Sequence, residues 1–141
     1  MEQELLNRLS DLDNRFRAHK HKGLDSEELN RGMFYIPVSY ETNEIASIDL
    51  YAPFGIKILR VRGRTTKVIA ATDNATTTVK NSAGTTMATI TFPASTAIDQ
   101  DATAQEVNSD NQIAKDSKFT LTQAKTTAGG KAIITIEYQR L

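Results

Sequence analysis

From Met33 to Tyr138 the apolar residues come in short runs of period two, cut roughly every ten residues by Gly, Asn, Asp or Ser. Successive side chains of a strand point to opposite faces, so such runs build strands with one buried and one wetted face. Ala88, Ile90 and Phe92 alternate with Thr89 and Thr91, and Ala132, Ile134, Ile136 and Tyr138 repeat the pattern at the end. Half-buried strands must stack as two sheets or close on themselves. Eighteen threonines suit a pleated, half-exposed surface. The expected fold is mainly β: an antiparallel β-sandwich, jelly-roll-like, of about eight short strands.

Individual segments sharpen this. Phe34 to Val38 is the first run, and Pro37 marks an edge or a strand end. Ile45 to Tyr51 follows. Between Gly55 and Arg62 the phase changes, with Ile56 and Ile58 on one parity and Leu59 and Val61 on the other, which predicts a bulge near Ile58 or burial on both faces. Val68 to Ala71 and Thr76 to Lys80 read as short strands flanking an Asp73-Asn74 turn, and Asn81 to Gly84 as a second turn. Ala94 to Asn111 is a polar loop with a short edge strand around Ala104 to Val107. Phe119 to Gln123 alternates again, and Gly129-Gly130 reads as a hairpin turn.

The first residues follow another period. Leu5, Leu9, Leu12 and Phe16 recur at spacings of four, three and four, the a/d seam of an amphipathic helix. Glu2 and Glu4 at its start and Arg15, Arg17, Lys20 and Lys22 at its end complement the helix dipole. Such a stripe can pack against its own domain or against copies of itself; its narrowness favours the copies, although a helix this short is marginal alone and needs help from the following domain. The expected organisation is a helical arm over 1–22, a linker over 23–32 and a β-domain over 33–141.

Charge and composition remove whole classes of function. Lys+Arg and Asp+Glu both number 17, so no global field attracts nucleic acid or an anionic membrane. No stretch approaches the ~20 apolar residues of a membrane span, and the first twenty residues lack a signal-peptide core, so synthesis in the cytoplasm is expected. With no cysteine, and with both histidines (His19 and His21) in the arm, the β-domain cannot assemble a Ser-His-Asp or Cys-His site. Asp99, Asp101, Asp110 and Asp116 could converge as paired carboxylates, but acidic loop residues usually serve as solvated surface. No enzyme and no cofactor are expected.

Two clusters invite sharper readings. In a parallel trimer His19 and His21 would offer six imidazoles to a metal, but positions i and i+2 face different sides of a helix, so cations completing the helix C-terminus are the preferred reading. Asp99-Gln100-Asp101 could hold calcium, but the spacing of a calcium loop is missing. Lys57, Arg60, Arg62, Arg64 and Lys67 fall within eleven residues with no acidic residue between. They form either a solvent face that discourages edge pairing or a docking patch for an acidic protein surface.

Three segments carry a resemblance: Ile48-Asp49-Leu50-Tyr51-Ala52-Pro53-Phe54-Gly55-Ile56-Lys57-Ile58, Thr78 to Ala88, and Ala128 to Tyr138. Together they resemble small sandwich proteins of tailed-bacteriophage virions, used as capsid decoration (cement) proteins and as accessory tail or fibre modules. His19-Lys20-His21-Lys22-Gly23 is similar to a His-x-His-x-Gly junction near the start of many phage particle proteins, with Lys22 where an acidic residue often stands. The resemblance implies a homotrimer on the capsid surface with the major capsid protein as partner. Its alternative is a tail or fibre module that binds a host receptor through loops such as Ala94 to Asn111, a role for which the lack of tryptophan provides few sugar platforms.

Overall fold

A computed structural model describes residues 2–18, 30–41, 46–107 and 109–141, with the side chains of 12–18 and 106 left out. His19, His21 and most of the expected linker lie outside the described residues, as do the side chains of Leu12 and Phe16. The chain divides into two compact units, Met1–Asn30 and Arg31–Leu141.

The first unit contains α1, Glu2–Ala18, with Glu2 and Glu4 in its first turn. Glu4 and Arg8, one turn apart, form an exposed ion pair at 3.3 Å. Leu5, Leu6 and Leu9 are each more than half exposed.

Among the described residues the second unit holds nine strands: β1 (Arg31–Ser39), β2 (Ala46–Tyr51), β3 (Ile56–Lys67), β4 (Ala75–Lys80), β5 (Thr86–Phe92), β6 (Gln105–Glu106), β7 (Gln112–Ile113), β8 (Lys118–Ala124) and β9 (Lys131–Arg140). They form two antiparallel sheets, β1-β9-β3-β6 with β7 also on β3, and β2-β8-β4-β5. Pairing is nested: β4 with β5, β3 with β6 and β7, β2 with β8, β1 with β9. A chain that doubles back once and then rolls its ribbon into two sheets gives this order, which is the jelly roll. The tip is Asn81–Thr85, where Asn81 Oδ1 accepts the amides of Ala83 (3.0 Å) and Thr85 (2.9 Å).

β6 and β7 act as one interrupted strand along a single edge of β3. Asp101 bridges Arg64, Glu106 opposes Arg60, and Gln112 opposes Lys57. In the gap, Asn111 accepts the Ile58 amide at 2.9 Å through its carbonyl and donates its side-chain amide to the Ile58 carbonyl at 2.6 Å. Residues 99–102, 105–106 and 111 of the expected loop are therefore bonded along β3, with its expected edge strand present as β6.

Two local readings give way to non-local pairing. Val68 to Ala71 is not a strand but the crossover between sheets, where Ile69 is buried and exchanges backbone bonds with Thr96 and Ser95. Gly129-Gly130 is not a hairpin turn either, because β8 and β9 belong to different sheets. These glycines run at φ 137° and 131° between Tyr40 and Ala70, and a Cβ on Gly129 would stand 2.6 Å from Ala70 Cβ.

The core lies between the sheets. Ile36, Val38, Ile56, Ile58, Val61, Ile134 and Ile136 face Val79, Ile90, Phe92, Phe119 and Leu121. Gly63 points inward too, and a Cβ there would lie 2.6 Å from the Phe92 ring. Tyr40, 1 % exposed, hydrogen-bonds Thr77 Oγ1 at 2.6 Å beneath Phe92. Its burial pushes the phenol up to about 12.

Candidate docking face

A regular strand would split the five cations of β3, sending Lys57 and Lys67 to one face and Arg60, Arg62 and Arg64 to the other. Two bulges prevent this. The register against β9 slips between Ile58 and Arg60 and again between Thr65 and Lys67. All five then stand opposite outward residues of β9: Lys57 by Gln139, Arg60 by Glu137, Arg62 by Thr135, Arg64 by Ile133 and Lys67 by Lys131. The first bulge is the one expected from the phase change. Inward, Ile56, Ile58, Val61 and Thr65 stay buried on either side of it.

β1 completes this outer face with residues that charge alone does not reveal. Its register sets Met33 beside Glu137, Tyr35 beside Thr135 and Pro37 beside Ile133. Each row therefore runs from an apolar residue on the β1 edge, through β9, to an arginine on β3. Met33, Tyr35 and Ile133 are 52 %, 68 % and 38 % exposed. An exposed Tyr-Met-Ile strip beside arginines has the composition of a protein interface, where aromatic residues, Met and Arg are enriched. Pro37 sits within this edge strand and withholds one amide donor from it.

Carboxylates of the same domain answer part of the positive charge. Arg62 Nε is 2.9 Å from Glu137 Oε1, and Lys67 Nζ is 2.7 Å from Glu41 Oε1, where the bonded ammonium holds the Glu41 carboxyl below its usual range. Arg64 reaches Asp99 and Asp101 only at 3.6 and 3.7 Å and is more than half exposed. Between Arg62, Arg64, Asp101, Ala104 and Thr135 opens a cleft of about 340 Å³.

The remaining sequence candidates fall elsewhere. Asp99 and Asp101 meet at Arg64, while Asp110 lies by Asn81 and Asp116 in the turn after Ala114, so the four carboxylates do not converge. Among the described residues no three of Asp, Glu and His gather as a metal site. The outer face of the second sheet is mainly hydroxyl: Ser47, Thr122, Thr78 and Thr89 share one row, and Asp49 binds Lys118 (3.2 Å) and Thr120 (2.8 Å). Its one large exposed apolar group among the described residues is Tyr51. Of the two outer sheet faces, the β1-β9-β3 face is thus the one that mixes apolar and basic groups among the described residues.

No protein-family model matches the sequence, and no curated protein does. Solved structures similar in fold at low identity include the following three. A chain of the cyanophage Pam1 capsid asymmetric unit is 17 % identical, covering 79 % of this chain and 86 % of that one, at a TM-score of 0.46. The tomato aspermy virus structure is 12 % identical, covering 98 % and 95 %, at 0.46. CsCBM6-3 from Clostridium stercorarium, solved with cellobiose, is 16 % identical, covering 79 % and 83 %, at 0.44.

Proposed function

We propose that the chain is a non-enzymatic virion structural protein, a phage capsid decoration (cement) protein. It docks on the shell through the outer face of β1, β9 and β3 and assembles with copies of itself, as a trimer, through α1. The observation that carries this reading is the pair of bulges that gathers Lys57, Arg60, Arg62, Arg64 and Lys67 onto the face where Met33, Tyr35 and Ile133 are exposed. Apolar anchors would supply affinity, and the cations would steer the domain toward an acidic patch on the major capsid protein. The sequence resemblance to small virion sandwiches supports the same role. The receptor-binding alternative draws less support, because 99–102, 105–106 and 111–113 of the loop it would use are bonded along β3.

Capsids assembled without the protein test this. The full chain is expected to co-sediment with them and raise their resistance to heat, with Arg62→Glu/Arg64→Glu weakening binding at least about ten-fold. A chain that neither binds nor stabilises the shell, or that sits at a dozen copies or fewer per particle, overturns the reading in favour of a tail component.

A further inference from the structure

We infer that the first half of β1, Arg31 to Ile36, is an open sheet edge that receives an extended segment of the shell protein as an added strand, through the outward N–H and C=O groups of Met33 and Tyr35. This rests on the docking in the proposed function and deepens it by naming the form of the partner's contact.

The phase of the edge is set at its far end. Tyr40 donates its amide to the Gly130 carbonyl at 2.9 Å, and the β1-β9 register runs on from there without a shift to Arg31 and Gln139. Hydrogen-bonded pairs alternate along an antiparallel ladder. Val38, Ile36, Phe34 and Gly32 therefore bond β9, whereas Ser39, Pro37, Tyr35, Met33 and Arg31 turn their backbone groups away from it. Pro37 stands in that outward set, where its missing donor costs no bond to β9. The same set carries the exposed side chains of Met33 and Tyr35, so the edge is continuous with the candidate docking face.

Sheet edges are guarded by being short, charged or bulged. Among the described residues, β6 and β7 have two residues each, β2 has six and carries Asp49, and β5 has seven with a register shift in its ladder to β4. β1 has nine residues, an unbroken register and no charge from Gly32 to Ser39. Pro37 guards only its second half. The first half is unguarded, and among the described strands only β9 pairs with it.

Packing calls for a neighbour at the same place. β5 lies against β3 and β6, so the β1 and β2 edges share the opposite flank. Ile90 and Phe92 of β5 are fully buried, but Phe34, Ile48 and Leu50 at the β1-β2 flank are only partly so, with Phe34 stacked on Tyr138 at 4.6 Å. An added strand sets alternate residues over Phe34 and the others beside Met33, Tyr35 and the exposed Arg31. The segment that fits is apolar on one parity and carries a carboxylate on the other. A second copy of β1 fits less well: it has no acid for Arg31, and a two-fold pairing of edges closes as a dimer rather than a trimer.

Amide exchange read at single residues, on the full chain free and bound to capsids assembled without it, tests this. Phe34 and Ile36 should be slow in both states, whereas Met33 and Tyr35 should exchange fast in the free chain and slow at least about ten-fold on the shell. Tyr35→Pro removes an outward donor without touching the β9 ladder. It should weaken co-sedimentation roughly ten-fold beyond Tyr35→Ala, at a similar melting temperature. Should Tyr35→Pro unfold the domain, exchange in the parent decides alone. Binding with the Met33 and Tyr35 amides still in fast exchange, or equal losses in folded Tyr35→Pro and Tyr35→Ala, overturns the inference and leaves the docking reading standing. Protection of these amides that grows with the concentration of the free chain assigns the edge to a second copy and overturns it as well. A chain that ignores capsids sinks both.

Discussion

The Lys125 ammonium, whose side chain is fully buried, donates to Asp73 twice: to its carboxylate at 2.8 Å and to its backbone carbonyl at 2.7 Å. Asp73 lies on the β3-to-β4 crossover and Lys125 at the start of the β8-to-β9 crossover, so one ion pair ties together two of the connections between the sheets. The amides of Thr126 (2.7 Å) and Thr127 (3.1 Å) also donate to the carboxylate. Lys125 first, then these amides against the opposing effect of desolvation, hold the carboxyl down to about 2. A folded value below the unfolded 3.8 means the stabilisation is complete above about pH 4 and is lost as pH falls through 2. Urea unfolding should show Asp73→Asn less stable than the parent at pH 6, with the gap closing toward pH 2. Lys125→Met should lower the melting temperature and move acid unfolding to higher pH, because the remaining carboxylate loses its counter-charge. Glu41 and Asp49 are lowered as well and share the acid arm, so the difference between parent and variant is the quantity to read.

Tyr40 governs the alkaline side. Its phenol is raised to about 12 by burial, above the ordinary 10, so the folded state keeps a proton that the unfolded state releases between those values. Stability from this group is complete below pH 10 and falls by roughly 2–3 kcal/mol as pH rises to 12. Spectrophotometric titration should show one of the four tyrosines ionising only as the domain unfolds. Tyr40→Phe should abolish that late step and cost about 1–2 kcal/mol at neutral pH, because buried Thr77 loses its partner.

Asn111 connects the loop to the bulge. Asn111→Ala strips the side-chain donor from the buried Ile58 carbonyl, which should cost about 1–3 kcal/mol in denaturant unfolding. Amide exchange should accelerate locally around Ile58 and Arg60 before it does in β9. If the bulge places Arg60 for docking, capsid affinity should fall in the same variant.

Stability and docking should separate at the exposed face. The contacts of Arg64 with Asp99 and Asp101 are long and solvated, so Arg64→Ala should change folding stability by under ~0.5 kcal/mol. Tyr35→Ala, at an exposed position, should likewise leave the melting curve almost unmoved. Both should reduce co-sedimentation with capsids, and loss of folding instead of binding would mark the face as merely structural.

Legibility in the sequence followed the range of the interactions. Period two located β5, β8 and β9 because burial on one face is a local signal, and the parity change at Leu59 exposed the bulge for the same reason. Strand partners were invisible. Gly129-Gly130 looks the same whether a chain turns back within a sheet or crosses to the other one, and only the pairing of β9 with β1 and β3 decides. Met33 and Tyr35 joined the candidate docking face through their register with β9, about a hundred residues away. The Asp73 and Lys125 pair spans 52 residues and left one trace: Lys125 continues the inward parity of Phe119, Leu121 and Gln123. Read as a buried cation at the end of a strand, it called for an anion.

The nested pairing has a consequence for the growing chain. β1 leaves the ribosome long before its neighbour β9 exists, since Ser39 pairs with Lys131 and Arg31 with Gln139. At the usual 5–20 residues per second, the opening strand waits on the order of ten seconds for the closing one. Meanwhile Phe34, Ile36 and Val38 remain an unclaimed β-segment next to other nascent chains on the same message. Pro37, placed among them, cannot donate to an invading strand. The same residue that thins the finished edge therefore also leaves the waiting segment one donor short for any stray strand.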